Sequence, residues 1–377
     1  MSISQIIRTN KYIRKIKKIS EYIARYGQIF SQYKIFFPYR SDLTHPLFLE
    51  LKNNPPLNYV NKKNANLFHL VMGGSKRDLE QNHIVEIFDH AFSMIASYEM
   101  FPREPIEYYN RQEKIKALYL SDKLKKLIFI SNGQRELFKY YFNDKVILDK
   151  SIVIPISWAN NINLGKKIIT KNINFLFIAS NYNAKGVQIV LKSWNKFQSF
   201  NNNATLTLVS HDIPIEIEKN LGKNIKLVKE APLNSEVKFF LFKGADVVLA
   251  FALTDSIIAV EATSYGKPVV TFRSQHSKDF INNDNGMEID VPINMYDVDK
   301  YGILWKTKQE FDEIVQEYIS NGKFDRVVDN LVEIFVRYSE DPELLKEQTE
   351  NAIEKYYRDY TAENRNKKLM EVYDECE

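Results

Sequence analysis

The 377-residue chain has a single cysteine, Cys376, beside its last residue. A disulfide within the chain is therefore impossible, and a cysteine-rich zinc site is excluded. A lone thiol fits a reducing compartment, and a cytoplasmic protein is expected. The six histidines (His45, His69, His83, His90, His211 and His276) include no His-x-x-x-His pair, which argues against a histidine-rich metal site. No run of about 18 apolar residues occurs, so no membrane-spanning helix is predicted. The first 27 residues, MSISQIIRTNKYIRKIKKISEYIARYG, are charged throughout, without the continuous apolar segment of a signal peptide.

That opening segment instead reads as an amphipathic helix over residues 1–27, with Ile13, Ile16, Ile19, Ile23 and Tyr26 at three- and four-residue spacing. Arg8, Lys11, Arg14, Lys15, Lys17 and Lys18 make its other faces basic, which concentrates a mild net charge of +4. Such a helix suits peripheral contact with an anionic membrane surface, or packs its isoleucine stripe on the rest of the protein. Elsewhere the lysines are dispersed and no nucleic-acid module is recognisable, so no nucleic-acid partner is expected.

The length suffices for two ordinary domains. Short apolar runs alternate with helical patterns, the rhythm of a parallel α/β fold. Strands are predicted in YKIFFPYR (33–40), NLFHLVMGGSKRD (66–78), HIVEIFDH (83–90), the start of KKLIFISNGQRELFKYYF (125–142) and KSIVIPIS (150–157). The polar stretch Trp158 to Asn172 reads as a link. A second series follows: INFLFIAS, ATLTLVS, IKLVK, DVVLAFA and KPVVTF as strands, with helices between them, and an almost wholly helical tail. Three parts are expected: residues 1–163 as an amino-terminal Rossmann-like domain, 164–350 as a carboxyl-terminal one, and 351–377 as helices packing back on the first. Ligands of open α/β sheets bind beyond the carboxyl ends of the strands, so the cleft is expected there.

Within the second series, NYNAKG and then ADVVLAFALTDSIIAVEATSYGKPVVTF resemble the carboxyl-terminal domain of GT-B glycosyltransferases, in the large retaining group 1 type. The likeness covers about residues 172–272, and the closing DPELLKEQTENAIEKYYRDYTAENRNKKLMEVYDE resembles that family's last helices. The resemblance implies a metal-independent hexosyltransferase with no cofactor, taking a nucleotide-diphosphate sugar as donor and a saccharide or lipid-linked acceptor, with retention. It also assigns the first domain to the acceptor and the second to the donor.

Chemistry gives these residue types their reasons. A carboxylate accepts hydrogen bonds from both ribose hydroxyls, the role implied for Glu261; its plain alternative is an exposed helix glutamate. Backbone amides over Ser256, Ile257 and Ile258, at a helix start, cradle phosphate or sugar oxygens, and Thr254, Asp255 and Ser256 form the turn before it or simply cap the helix. Lys185 matches the family's lysine that pairs with the donor phosphates and stabilises the leaving group. In the first domain, His90 resembles a histidine lining the sugar pocket, with Asp89 to orient it. Gly73 and Gly74 let a backbone approach substrate, or merely form a turn. His69, inside its strand, reads as a buried core histidine.

Two positions depart from the family pattern. Ser180 stands where an arginine is usual, and Leu253 where a second glutamate is usual, eight residues before Glu261. They motivate an alternative, a non-catalytic GT-B scaffold or nucleotide-binding subunit. A third possibility is a sugar-nucleotide enzyme such as an epimerase, which needs no acceptor.

Overall fold

The structure, a computed structural model, describes residues 29–30, 35–36, 67–70, 80–87, 113, 115–158 and 162. From 172 to 376 it describes all but 180–181, 184, 202, 230–234, 253–256, 275, 294–295, 298–301 and 304–307. The basic segment 1–27 and the polar link beyond Trp158, Ile162 and Asn172 excepted, lie outside the described residues.

The first sheet contains β1 (Ile29–Phe30), β2 (Ile35–Phe36), β3 (Leu67–Leu70), β4 (Asn82–Ile87), β5 (Leu124–Phe129) and β6 (Ser151–Val153). They lie side by side in sequence order, parallel except for the β1–β2 pair. Helix α1 (Asn132–Tyr141) follows β5 as predicted, started by Ser131, whose Oγ accepts from the Gln134 N–H at 3.1 Å. Short α2 (Lys145–Asp149), not predicted, comes next.

The second sheet is built from β7 (Ile173–Ile178), β8 (Ala204–Val209), β9 (Ile225–Val228), β10 (Val247–Leu249), β11 (Val269–Phe272) and β12 (Gly286–Ile289). All pairs are parallel, in the order β9-β8-β7-β10-β11-β12. The chain thus starts in the middle, winds outward one way, then returns to the centre and winds the other way. Every residue of β10 and β11 is buried, because helices cover both faces. Phe175, Phe177, Val247 and Leu249 face α3 (Val187–Gln198) and α9 (Asp325–Glu340). Leu176 and Val248 face the opposite layer, α5 (Ser235–Gly244) and α6 (Ile258–Ser264). The period-two alternation of INFLFI is the direct cause of this division. Between these, α4 (Ile215–Glu218), α7 (Ser277–Phe280) and α8 (Lys308–Ser320) complete the helices before α9. The edge strand β12 had no expectation attached to it; GMEI is too short a run to announce itself.

The carboxyl-terminal helices cross back to the first sheet, as the fold expectation has it. Helix α10 (Pro342–Lys355) leads into a π-helical turn, Tyr356–Tyr360, and then α11 (Ala362–Asp374). The turn is pinned to the chain leaving the first sheet: Trp158 N–H donates to the Tyr360 carbonyl at 2.9 Å, and Tyr356 OH to the Trp158 carbonyl at 2.8 Å. Helix α11 then buries Leu369, Val372 and Tyr373 against Leu67, Ile84 and Ile128 of the first sheet.

Four buried side chains fasten that contact. Arg365 donates to Glu86 Oε1 at 2.6 Å and to the Ile154 and Pro155 carbonyls at 3.2 and 2.8 Å. His69 Nε2 lies 3.2 Å from Glu86 Oε2, and His69 Nδ1 shares a 2.7 Å hydrogen bond with Tyr373 OH. His69 is thus the buried, hydrogen-bonded strand histidine that was expected. Burial pushes the Glu86 carboxyl up, but Arg365 and His69 outweigh it and bring it from 4.5 down to about 2.

Candidate active site

In an open parallel sheet, the crevice forms where neighbouring strands send their connections to opposite faces. Here the strand order reverses between β7 and β10, adjacent strands whose outgoing helices, α3 and α6, lie in opposite layers. The carboxyl ends of β7 and β10 carry the two stretches that the motif analysis singled out.

Beyond β7, Lys185 sits half-buried in a tight turn just before α3. The turn is held from several sides. Gly186 N–H donates to the Asn183 carbonyl at 2.9 Å and Val187 N–H to the Tyr182 carbonyl at 3.1 Å. Tyr182 N–H donates to Asp212 Oδ2 at 2.9 Å, beyond β8. Burial, with the Asp212 charge nearby, raises the Tyr182 phenol to about 12. Gly186 has φ +68°, and a Cβ there would stand 3.0 Å from the Phe272 ring. The positive φ favours glycine there, and the close Phe272 ring adds to that preference.

Beyond β10, α6 begins at Ile258 with Ile257 as its cap residue, and Glu261 falls in its first turn. Glu261 is not the exposed helix glutamate of the plain alternative; it is 5% exposed. Both carboxylate oxygens accept from Lys238 Nζ of α5, at 3.2 and 3.1 Å. Burial pushes the Glu261 carboxyl above its ordinary 4.5, and the Lys238 ammonium opposes that rise. The neighbouring Tyr265 phenol is raised to about 12 by burial and by the Glu261 charge.

The Gly-Lys-Pro that closes the motif has a packing reason. Gly266 ends α6 with φ +65°, and a Cβ there would come within 2.7 Å of Ile353 on α10. It lets the helix layer and the carboxyl-terminal helices approach each other closely.

The other expected site residues (Asp89, His90, Gly73, Gly74, Ser180, Thr254, Asp255 and Ser256), together with Leu253, lie outside the described residues. Among the described residues no group of three or more His, Cys, Asp or Glu side chains could hold a metal ion. The Asp-x-Asp triplet at 297–299 begins with Asp297 in a separate two-stranded ribbon, Tyr296–Asp297 with Gly302–Ile303. Among the described residues, no helix is long and apolar enough to cross a membrane.

The crevice has an opposing wall. Ser131, just beyond the carboxyl end of β5, hydrogen-bonds His276 Nδ1, beyond the carboxyl end of β11. Asp279 of α7 accepts from Asn132 Nδ2 and from Gly133 N–H of α1, both at 2.9 Å. A carboxylate at the start of α1 is well placed electrostatically. The carboxyl ends of the two sheets therefore face each other. Sequence reasoning missed Ser131, His276, Asp279 and Lys238, none of which has a local signature.

No family model matches the chain, and no curated protein matches it. Solved structures do. Anabaena HepE in complex with UDP aligns at TM-score 0.54 and 14% identity, over 82% of this chain and 79% of that one. A trehalose-6-phosphate synthase structure, described as bearing on glycosyl transfer with retention, aligns at TM-score 0.52 and 10% identity, over 87% and 77%. TarM aligns at TM-score 0.50 and 12% identity, over 82% of this chain; the match spans only 54% of TarM. All three are GT-B glycosyltransferases.

Proposed function

From a chain that has the GT-B fold, we propose a glycosyltransferase that moves a sugar from a nucleotide-diphosphate donor to a saccharide or glycolipid acceptor, with retention and without a metal ion. The observation that carries this reading is the placement of Lys185 and Glu261 in the topology. One follows β7 and the other follows β10, on the two sides of the strand-order reversal where such sheets take their ligands.

On this reading Glu261 accepts both ribose hydroxyls. A carboxylate offers about four lone-pair sites, so the Lys238 contacts leave room for a diol. Lys185 takes the diphosphate, neutralising charge that grows on it as the sugar leaves. The Ile257 and Ile258 amides, at the start of α6, add further donors. Because the acceptor attacks while the leaving diphosphate is still held, stabilising that diphosphate lowers the barrier without a divalent ion. The facing walls of the two sheets would exclude water, which protects the donor from hydrolysis. Retention in trehalose-6-phosphate synthase and UDP in HepE, neighbours of the same fold, support the reading.

The test is transfer and hydrolysis by the purified chain against a panel of UDP-, GDP- and ADP-sugars. Activity is expected with one donor class, and Glu261→Ala should raise its KM at least tenfold. Nucleotide binding without any turnover would favour the scaffold alternative, for which Leu253 and Ser180 are the specific grounds. The acceptor class has its own check. Residues 1–27 are proposed to bring the enzyme to anionic lipid, and equal vesicle sedimentation with and without them would exclude that.

A further inference from the structure

Lys238 belongs to no recognised motif, yet it is the described partner of the most buried charge in the crevice. It comes from α5, whereas Glu261 comes from α6, and the two helices lie side by side in one layer. The ammonium contacts both carboxylate oxygens at nearly equal distance, 3.2 and 3.1 Å, so it holds the carboxylate centred on it. Side-chain exposure is 30% for Lys238 and 7% for Glu261, which places the lysine on the outer side of the pair. A helical side chain leans toward the amino-terminal end of its helix. For α6 that end is the one nearest the carboxyl end of β10, so Glu261 leans that way while Lys238 meets its oxygens from α5.

We propose that Lys238 is the positioning residue of the ribose site: it holds the Glu261 carboxylate ionised and turned so that its remaining lone pairs meet the 2′ and 3′ hydroxyls together. This deepens the donor reading above and rests on it. A purely structural lysine would tie α5 to α6 and nothing more. The two roles predict different things, because only a positioned carboxylate makes affinity depend on the ribose 2′ hydroxyl.

The experiment uses the full chain, titrated calorimetrically with whichever of UDP, GDP and ADP the wild type binds tightest, and with its 2′-deoxy counterpart. Wild type should prefer the ribonucleotide by about tenfold or more, the range for a hydrogen bond to a charged acceptor. Lys238→Met should reduce that preference to within about twofold while leaving affinity for the deoxynucleotide unchanged, and Lys238→Arg should restore it. If Lys238→Met keeps the preference, or weakens both nucleotides alike, the positioning role is wrong while the donor reading stands. If wild type itself shows no preference, or binds none of the three, the ribose reading of Glu261 fails first and takes the proposal with it. Thermal midpoints of the variants separate misfolding from either result.

Discussion

Replacing Glu86 with Gln should destabilise the protein through a contact that no sequence motif announces. The side chain is nearly isosteric, so packing against Leu67, Ile84 and Ile128 is kept while the charge is lost. Arg365 would then remain fully buried with only neutral acceptors, the substituted amide oxygen and the Ile154 and Pro155 carbonyls, and no counter-charge. Two routes give the size. Breaking one side of a buried ion pair costs about 3–5 kcal/mol. Independently, the Glu86 carboxyl goes from 4.5 to about 2 on folding, and at about 1.4 kcal/mol per pH unit that is about 3 kcal/mol. For a unit of this size the melting temperature should fall by about 6–12 °C. The pH dependence has a definite sign. A depressed carboxyl contributes fully above pH 4.5 and loses its contribution as pH falls toward 2, so the gap between wild type and Glu86→Gln should close over that window. Removing both charges, with Glu86→Gln and Arg365→Met together, should recover more than half of the loss, since no buried charge is left unpaired. Urea and thermal unfolding followed by circular dichroism would measure all three proteins. A double variant as unstable as Glu86→Gln, or a single variant within about 1 kcal/mol of wild type, would refute the clasp between α11 and the first sheet.

On the proposed role of Lys185 at the leaving diphosphate, Lys185→Ala should lower kcat about 100-fold or more, with little change in melting temperature because the lysine is half-buried; steady-state kinetics on the active donor would show it. Gly266→Ala adds a Cβ 2.7 Å from Ile353 at a positive φ, and should cost about 1–3 kcal/mol in urea unfolding. Asp279→Ala removes acceptors from both Asn132 and Gly133. It should weaken the contact between the two walls, and solution scattering should report a larger radius of gyration than wild type.

Much of the second sheet was legible. VVL and VVTF are buried on both faces and so are built of apolar and β-branched or aromatic residues, while INFLFI, ATLTLV and IKLV carry their strand character in short runs rich in such residues. The same holds for VQIVLKSWNKFQ, whose buried positions recur at helical spacing. The strand order was not legible. Nothing in those segments says that β10 returns beside β7 rather than adding to β9, and that return makes the crevice. The short β12 and α2 were also missed, being too brief for any period to show.

Charged residues divide in the same way. Glu261 stood out because it interrupts an apolar, small-residue helix, and Gly266 because a helix followed by Gly-Lys-Pro must turn there. Glu86 lies in NHIVEI and Arg365 in AENRNKK, where each looks like an ordinary solvated charge; 279 residues separate them. Lys238 and Glu261 are 23 residues apart, and Ser131 and His276 are 145 apart. The sequence by itself determined most of the strands and helices of the second series, where the glycine turns fall, and that a lone carboxylate follows its fourth strand. Only the tertiary structure decided which charges neutralise one another and which carboxyl ends face across the crevice. The physical reason is that periodicity and propensity act within a few residues. The worth of a charge depends on how deeply it is buried and on what lies within about 4 Å of it, and the packing of distant elements sets both.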